Sequence, residues 1–98
     1  MAKIIWTAEA KQCLQELFDY IFPDNPSVAR HVVSEIYRKV QLLRQFPELG
    51  WKYEPIEDRE IRILLYGHYR IAYQICSDSR IFILGIFHAA MDIEKYLQ

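Results

Sequence analysis

The stretch "EIRILLYGHYRIAYQI", residues 60–75, decides the fold of this chain. On both sides of Gly67 and His68, apolar residues recur with a period of two, and the composition is rich in β-branched and aromatic side chains. That pattern is typical of strands. Gly67-His68 suits a two-residue type II′ loop, which needs glycine at a position of positive φ. The stretch therefore predicts an antiparallel hairpin with strands near 60–66 and 69–77.

Two further strands are predicted outward from this hairpin. The segment 80–88 continues the period of two, and "SDSR" at 77–80 supplies the turn before it. Near the beginning of the chain, the short run "KIIW" (Lys3 to Trp6) is β-branched and aromatic, which predicts a first strand.

The first predicted helix follows this strand. Thr7 is a suitable N-cap, Glu9 lies in the first turn where the helix dipole favours an anion, and Pro23 ends the helix. One apolar stripe runs along it at spacings of three and four: Ala10, Leu14, Leu17 and Ile21.

The second predicted helix begins after the short linker "PDNP", with Asn25 as N-cap and Pro26 at the first helical position. It should end near Phe46, because Pro47 disfavours helical geometry in the residue before it. Its apolar stripe has the same spacing: Ala29, Val33, Ile36, Val40 and Leu43.

The predicted order is β-α-α-β-β-β, an α+β domain in which an antiparallel helical hairpin packs on a mostly antiparallel sheet. We expect a single domain over residues 1–98. The acidic segment 47–60 reads as a solvated loop, with a short strand around 51–53, and a short final helix is predicted from Asp92 to Leu97.

Composition limits the classes of function. A formal net charge of −1 argues against the broad basic surface that tight, nonspecific binding of RNA or DNA needs. Cys13 and Cys76 are far apart and no motif has metal-ligand spacing, so we expect reduced thiols, no metal and no cofactor. No signal peptide and no apolar run of membrane-spanning length is recognisable, so we expect a cytoplasmic protein.

If both hairpin loops have two residues, the register places polar and aromatic side chains on one sheet face. Arg62 then faces Tyr73, and Tyr69 lies between Tyr66 and His88. Four apolar residues surround them on the same face: Leu64, Ile71, Leu84 and Ile86.

Two interpretations of this face stay open. In the first, the tyrosines are half-buried core residues and Arg62 stacks on them as a cation–π brace. In the second, Arg62 and His88 form an anion-binding or RNA-cleaving set, because a guanidinium suits phosphate and an imidazole can exchange protons. Arg70 points to the other face.

The chain resembles the RelE/ParE superfamily of toxins from bacterial type II toxin–antitoxin modules. The resemblance lies in "IIWTAEAKQCLQELFDYI", "NPSVARHVVSEI", "LLRQFPELG", "IRILLYGHYRIAYQI" and "IFILGIFHAAMD", which together cover nearly the whole chain. It is closer to the ParE, or plasmid stabilisation, branch, where W-T-x-x-A, D-Y-I, an Asn-Pro helix start and a terminal H-x-x-x-D recur. Here the last motif is His88 to Asp92.

The resemblance implies two mechanisms. ParE-like members poison DNA gyrase by binding, whereas RelE-like members cut messenger RNA on the ribosome. By position, Arg62 matches the superfamily's strand arginine and His88 its terminal histidine, which makes both candidate catalytic residues if the chain is a nuclease. Tyr69 and Arg70 match the recurring Tyr-Arg pair, and with Tyr73 they are candidate target- or substrate-binding residues.

The near-neutral charge ranks gyrase above the ribosome, because docking on ribosomal RNA depends on cations. The resemblance also implies a cognate antitoxin, which we expect to place an amphipathic helix in an apolar groove beside the helical hairpin. A third interpretation is an interaction domain that has lost toxicity. Its main support is Ala89 and Ala90, at positions where family members often carry arginines.

Overall fold

A computed structural model describes residues 1–88 and confirms the predicted α+β architecture. The elements in chain order are strand β1 (Lys3–Trp6), helix α1 (Ala8–Ile21), helix α2 (Pro26–Gln41), a 3₁₀ turn (Leu42–Arg44), and strands β2 (Trp51–Lys52), β3 (Glu60–Tyr66), β4 (Tyr69–Ile75) and β5 (Arg80–His88). The predicted final helix from Asp92 to Leu97 lies outside the described residues.

The strands form one five-stranded sheet in the order β1-β5-β4-β3-β2. β1 runs parallel to β5, and all other neighbouring pairs are antiparallel. The main hydrophobic core lies between one sheet face and the helical hairpin. Its buried members include Ala10 of α1, Ile36 and Val40 of α2, and Leu64 and Ile71 of the sheet.

Both helices begin at the predicted caps. The Thr7 hydroxyl accepts a hydrogen bond from the Ala10 amide (3.1 Å) and donates one to the Ile83 carbonyl oxygen (2.6 Å), which fastens the start of α1 to β5. The Asn25 side chain caps α2 through the Val28 amide at 3.1 Å. The second helical segment stops before Pro47 as expected, but its last part is the 3₁₀ turn rather than α-helix.

The first hairpin confirms the predicted two-residue loop. Tyr66 pairs with Tyr69, and Gly67 has a φ of 56°. His68 does not share this left-handed conformation, which agrees with a type II′ turn and not with type I′.

The second hairpin differs from the prediction. Its loop has three residues, closed by hydrogen bonds from the Cys76 amide to the Arg80 carbonyl oxygen (2.9 Å) and from the Ser79 amide to the Cys76 carbonyl oxygen (3.1 Å). Ser79 adopts a φ of 68°, as is common when a β-turn is followed by one left-handed residue. β4 accordingly ends at Ile75, two residues earlier than expected.

A β-bulge in β5 then restores the predicted register. Tyr73 pairs with Ile83 whereas Ala72 pairs with Gly85, so Leu84 is the extra residue. The prediction that Leu84 shares the face of Arg62 is therefore wrong. Ile83 occupies the helix-covered core instead, and Leu84 packs against the smaller cluster on the opposite face, formed by Ile61, Ile63, Ala72 and Phe87.

Among residues 1–88, no helix is long and apolar enough to span a membrane.

Candidate functional site

The cross-strand pairs predicted for the candidate residues are present. Arg62 of β3 faces Tyr73 of β4, and Tyr69 lies between Tyr66 and His88. These pairs occupy two different regions of the sheet, and each region has its own surroundings.

Arg62 fastens the turn that precedes β2. Its Nη1 donates to the carbonyl oxygens of Gly50 (2.8 Å) and Glu48 (3.4 Å), and its Nε donates to Glu60 Oε2 (2.9 Å). Only 17% of its side chain is exposed. The guanidinium is thus paired with backbone oxygens and one carboxylate, whereas the first interpretation had it stacked on tyrosine rings.

Tyr73 holds the same turn from the neighbouring strand. Its hydroxyl donates to the Pro47 carbonyl oxygen (2.6 Å) and accepts from the Gly50 amide (2.9 Å). The residue is completely buried, and this burial raises the pKa of its phenol above the ordinary value. Its role as a target-contacting residue stays a prediction that this conformation does not favour, since the side chain does not reach the surface.

Because Gly50 has no side chain, the turn can pack closely against Ile63 and Tyr73. A Cβ atom at Gly50 would lie 2.4 Å from the Ile63 carbonyl oxygen and 3.0 Å from the Tyr73 ring. We call the group of Arg62, Tyr73 and the turn 47–50 the turn clamp. Sequence reasoning missed it, because it depends on side-chain contacts with the backbone over separations of 12 to 26 residues.

Arg62 and His88 are not brought together. They are separated by four residues along the strand direction and by two strand spacings, which amounts to about 13 Å and about 10 Å, or about 16 Å between backbones. A general acid or base must lie within hydrogen-bond reach of the proton it transfers. A joint action of Arg62 and His88 on one phosphate stays a prediction that this arrangement does not favour.

His88 instead belongs to an aromatic cluster at the far end of the hairpin. Its ring stacks on that of His68 at 6.4 Å and meets the Tyr69 ring edge-on at 6.0 Å. The sequence predicts only a loop position for His68, so its contact with His88 is an addition. Arg70 is half-buried on the opposite face, where it pairs with Leu65 and Phe87, so the Tyr69-Arg70 pair is divided between the two faces.

Tyr69 and His88 also border a cleft between α1 and the second half of β5. The cleft has a volume of about 1130 Å³. It exists because β1 ends at Trp6, opposite Ile83, and leaves the following residues of β5 without a strand on that side. The residues of α1 that line the cleft recur at helical spacing, a pattern that is visible in the sequence: Glu9, Gln12, Cys13, Glu16, Leu17 and Tyr20.

Within the described part of the chain, no three potential metal ligands lie close enough together to hold an ion.

Comparison with known proteins identifies the family of the chain. Residues 4–93 match the sequence family of the ParE toxin of the type II toxin–antitoxin system parDE. The chain belongs to the ParE toxin family. This ParE-family toxin is 34% identical over 87 residues to "Putative toxin Y4kP" of Sinorhizobium fredii, an alignment that covers 89% of this chain and 88% of the relative.

Two solved structures share its fold. One is the chromosomal ParDE toxin–antitoxin system from P. aeruginosa, with a TM-score of 0.73, 21% identity, and coverage of 90% of this chain and 96% of that chain. The other is the toxin–antitoxin complex RelBE2 from Mycobacterium tuberculosis, with a TM-score of 0.60, 22% identity, and coverage of 89% of this chain and 96% of that chain. These two likenesses show a shared fold, and the match to the ParE sequence family identifies the chain as a toxin of the type II class.

Proposed function

We propose that this toxin poisons DNA gyrase by binding to it, without performing catalysis itself, and that a cognate antitoxin neutralises it. Membership of the ParE family supports this proposal. The observation that carries it is the placement of Arg62, which hydrogen-bonds the Gly50 carbonyl oxygen at 2.8 Å and lies far from His88.

That placement favours a binding mechanism over RNA cleavage. A nuclease of the RelE type would need the strand arginine to stabilise charge on the scissile phosphate. Here the guanidinium would first have to leave two carbonyl oxygens and the Glu60 carboxylate. A net charge of −1 would also weaken docking on ribosomal RNA, which is dominated by phosphate contacts.

The deciding experiment uses purified toxin with purified gyrase and plasmid DNA, and in parallel with translating ribosomes and messenger RNA. We expect covalently trapped, cleaved DNA to accumulate with gyrase while the messenger RNA stays intact. In cells, the same mechanism produces filamentation and DNA-damage signalling. Cuts in messenger RNA within minutes, with intact DNA, would instead establish the RelE-type activity.

His88→Ala separates the two mechanisms by magnitude. For a binding poison we expect the loss of one contact, about 1 kcal/mol, so toxicity persists at high expression. For a nuclease, loss of a general acid or base lowers the rate by about 100-fold or more. His31→Ala, on the exposed surface of α2, is the matched control. A His88→Ala protein with an unchanged melting temperature and no toxicity at any expression level would refute the gyrase proposal.

We infer that the antitoxin occupies the cleft between α1 and β5. The cleft offers apolar side chains of Leu17, Ile86 and Phe87, and the carboxylates of Glu9 and Glu16 border it. An amphipathic helix with an apolar stripe flanked by Lys or Arg would complement this surface.

The test is co-purification with the product of the neighbouring gene. Tyr20 lines the cleft and is 82% exposed, so Tyr20→Ala should weaken antitoxin binding without unfolding the toxin. Val28→Ala, 42% exposed in the first turn of α2, is the control and should leave the affinity unchanged. Equal affinity of both variants for the antitoxin would place its binding site elsewhere.

A further inference from the structure

An exposed apolar patch follows helix α2. Leu42, Phe46 and Leu49 are 45%, 57% and 47% exposed. The Phe46 amide donates to the Leu42 carbonyl oxygen (2.9 Å), and the Leu49 amide donates to the Phe46 carbonyl oxygen (3.1 Å). These bonds close one helical turn and one β-turn, so consecutive members of the set lie next to each other. We call this set the turn patch.

The turn clamp fixes the position of the patch. Tyr73 bonds the backbone at Pro47 and Gly50, and Arg62 bonds the carbonyl oxygens of Glu48 and Gly50. Four hydrogen bonds from the sheet therefore hold the turn that carries Leu49 and adjoins Phe46. Apolar side chains presented on a preorganised backbone lose little conformational entropy when a partner binds.

The charges around the patch indicate the chemistry of that partner. Arg44 is exposed between Leu42 and Phe46. Arg38 precedes Leu42 by one helical turn, and 78% of its side chain is exposed although it forms an ion pair of 3.2 Å with Glu35. Glu48 lies in the turn itself, where it would repel a phosphate backbone and where a protein partner would have to place a cation opposite it. A folded protein with an apolar pocket bordered by carboxylates would fit this arrangement better than a nucleic acid would.

The patch is separate from the cleft between α1 and β5. None of Leu42, Phe46 and Leu49 lines the cleft, which lies beside α1 and the second half of β5, whereas the clamp that holds the turn 47–50 belongs to β3 and β4. A partner bound at one surface would therefore contact different side chains from a partner bound at the other.

We propose that the turn patch is the surface through which the toxin binds its protein target, and that Arg62 and Tyr73 are positioning residues for this surface. Phe46 and Leu49 are the apolar anchors, and Arg38 and Arg44 pair with carboxylates of the target. The proposal rests on the proposed function in that gyrase is the target first tested.

The experiment measures three quantities for the full-length toxin and its variants: affinity for purified gyrase, affinity for the antitoxin, and melting temperature. We expect Phe46→Ser and Leu49→Ser each to lower gyrase affinity at least tenfold, with the other two quantities unchanged. Val28→Ser removes a comparably exposed apolar side chain at the other end of α2 and should change none of them. Arg44→Glu should lower gyrase affinity and make it less sensitive to salt.

The positioning role is tested with Tyr73→Phe, which keeps the ring and removes the hydroxyl. At a temperature where the variant is fully folded, gyrase affinity should fall while antitoxin affinity stays at the wild-type value. A purely structural role would leave both affinities unchanged in the folded protein, and that result would overturn the assignment of Tyr73 as a positioning residue.

Other outcomes overturn the proposal for the patch. If Phe46→Ser and Leu49→Ser both bound gyrase with the wild-type affinity, the proposal would be overturned. An equal loss of antitoxin affinity would identify the patch as an antitoxin contact, and a toxin dimer abolished by Phe46→Ser would identify it as a contact between two copies.

If the wild-type toxin does not bind gyrase, the proposed function fails but the patch is still tested by growth inhibition. Folded, antitoxin-binding serine variants that no longer inhibit growth would support a docking surface for another protein target. Variants that inhibit growth as the wild type does would overturn it.

Discussion

Replacing Tyr73 with Phe removes a single oxygen atom from the interior, and the structure indicates how much stability it contributes. That oxygen donates to Pro47 at 2.6 Å and accepts from the buried Gly50 amide at 2.9 Å. Loss of both bonds leaves a buried N–H group without its partner, for which about 1 to 3 kcal/mol is typical. We expect the free energy of unfolding to fall by about 2 kcal/mol, which corresponds to about 8 to 16 °C in Tm for a domain of this size.

The assay is urea or thermal unfolding followed by circular dichroism, with Tyr20→Phe as the control. Tyr20 is 82% exposed, so removing its hydroxyl should change stability by less than about 0.5 kcal/mol. If Tyr73→Phe were as stable as Tyr20→Phe at pH 7, the hydroxyl would contribute little and the turn clamp would not depend on it.

The same residue gives a pH dependence with a definite sign. Because burial raises the pKa of the Tyr73 phenol, the folded protein retains this proton at a pH where the unfolded chain loses it. The stability from the neutral phenol is therefore complete below about pH 10, the ordinary tyrosine pKa, and is lost as pH rises further. The difference between wild type and Tyr73→Phe should be constant from pH 7 to 9 and should shrink above pH 10. A difference that grows in alkali would contradict this reasoning.

Substitutions at four further positions test the fold, each by chemical unfolding at neutral pH. Gly50→Ala should destabilise by about 2 kcal/mol or more, since the new methyl group would meet the Ile63 carbonyl oxygen. Gly67→Ala should cost only about 1 kcal/mol, because its site is open and only the positive φ opposes a side chain; the reverse order would refute this account. Thr7→Ala should lose about 1 to 2 kcal/mol and Thr7→Ser much less, since serine keeps the hydroxyl that caps α1. Ser79→Val should lose about 1 to 2 kcal/mol, because a β-branched side chain is strained at a φ of 68°.

The elements that could be predicted from the sequence are those governed by local rules. The first hairpin follows from alternating residues around Gly67, and its two-residue loop fixed the pairing of Arg62 with Tyr73. The helices follow from their apolar stripes and from the caps Thr7 and Asn25, whose side chains make the expected bonds. In each case the residues that determine the structure are within a few positions of one another.

The features that could not be predicted depend on the folded chain as a whole. The turn 76–79 resembles a two-residue loop in sequence, but Ser79 takes a left-handed conformation that lengthens it by one residue. The bulge at Leu84 then compensates, so the predicted facing is wrong only for the part of β5 between the turn and the bulge. The contacts of Arg62 and Tyr73 with the turn 47–50, and the cleft beside α1, arise only when distant segments meet.

The bulge at Leu84 has an evolutionary consequence, because it divides one strand into two parts under different constraints. Before the bulge, Ile81 and Ile83 are completely buried in the core, so substitutions there would be limited by folding. From the bulge onward, Leu84, Ile86 and His88 border the cleft, and of these Ile86 is also buried in the core. Deleting the extra residue Leu84 would leave Ile83 and Gly85 paired with the consecutive residues Tyr73 and Ala72, so both parts of the strand would keep their facing. If the antitoxin occupies the cleft as proposed, substitutions of Leu84 and His88, which line the cleft and are not buried, would alter the choice of antitoxin and leave the buried Ile86 and Phe87 in place.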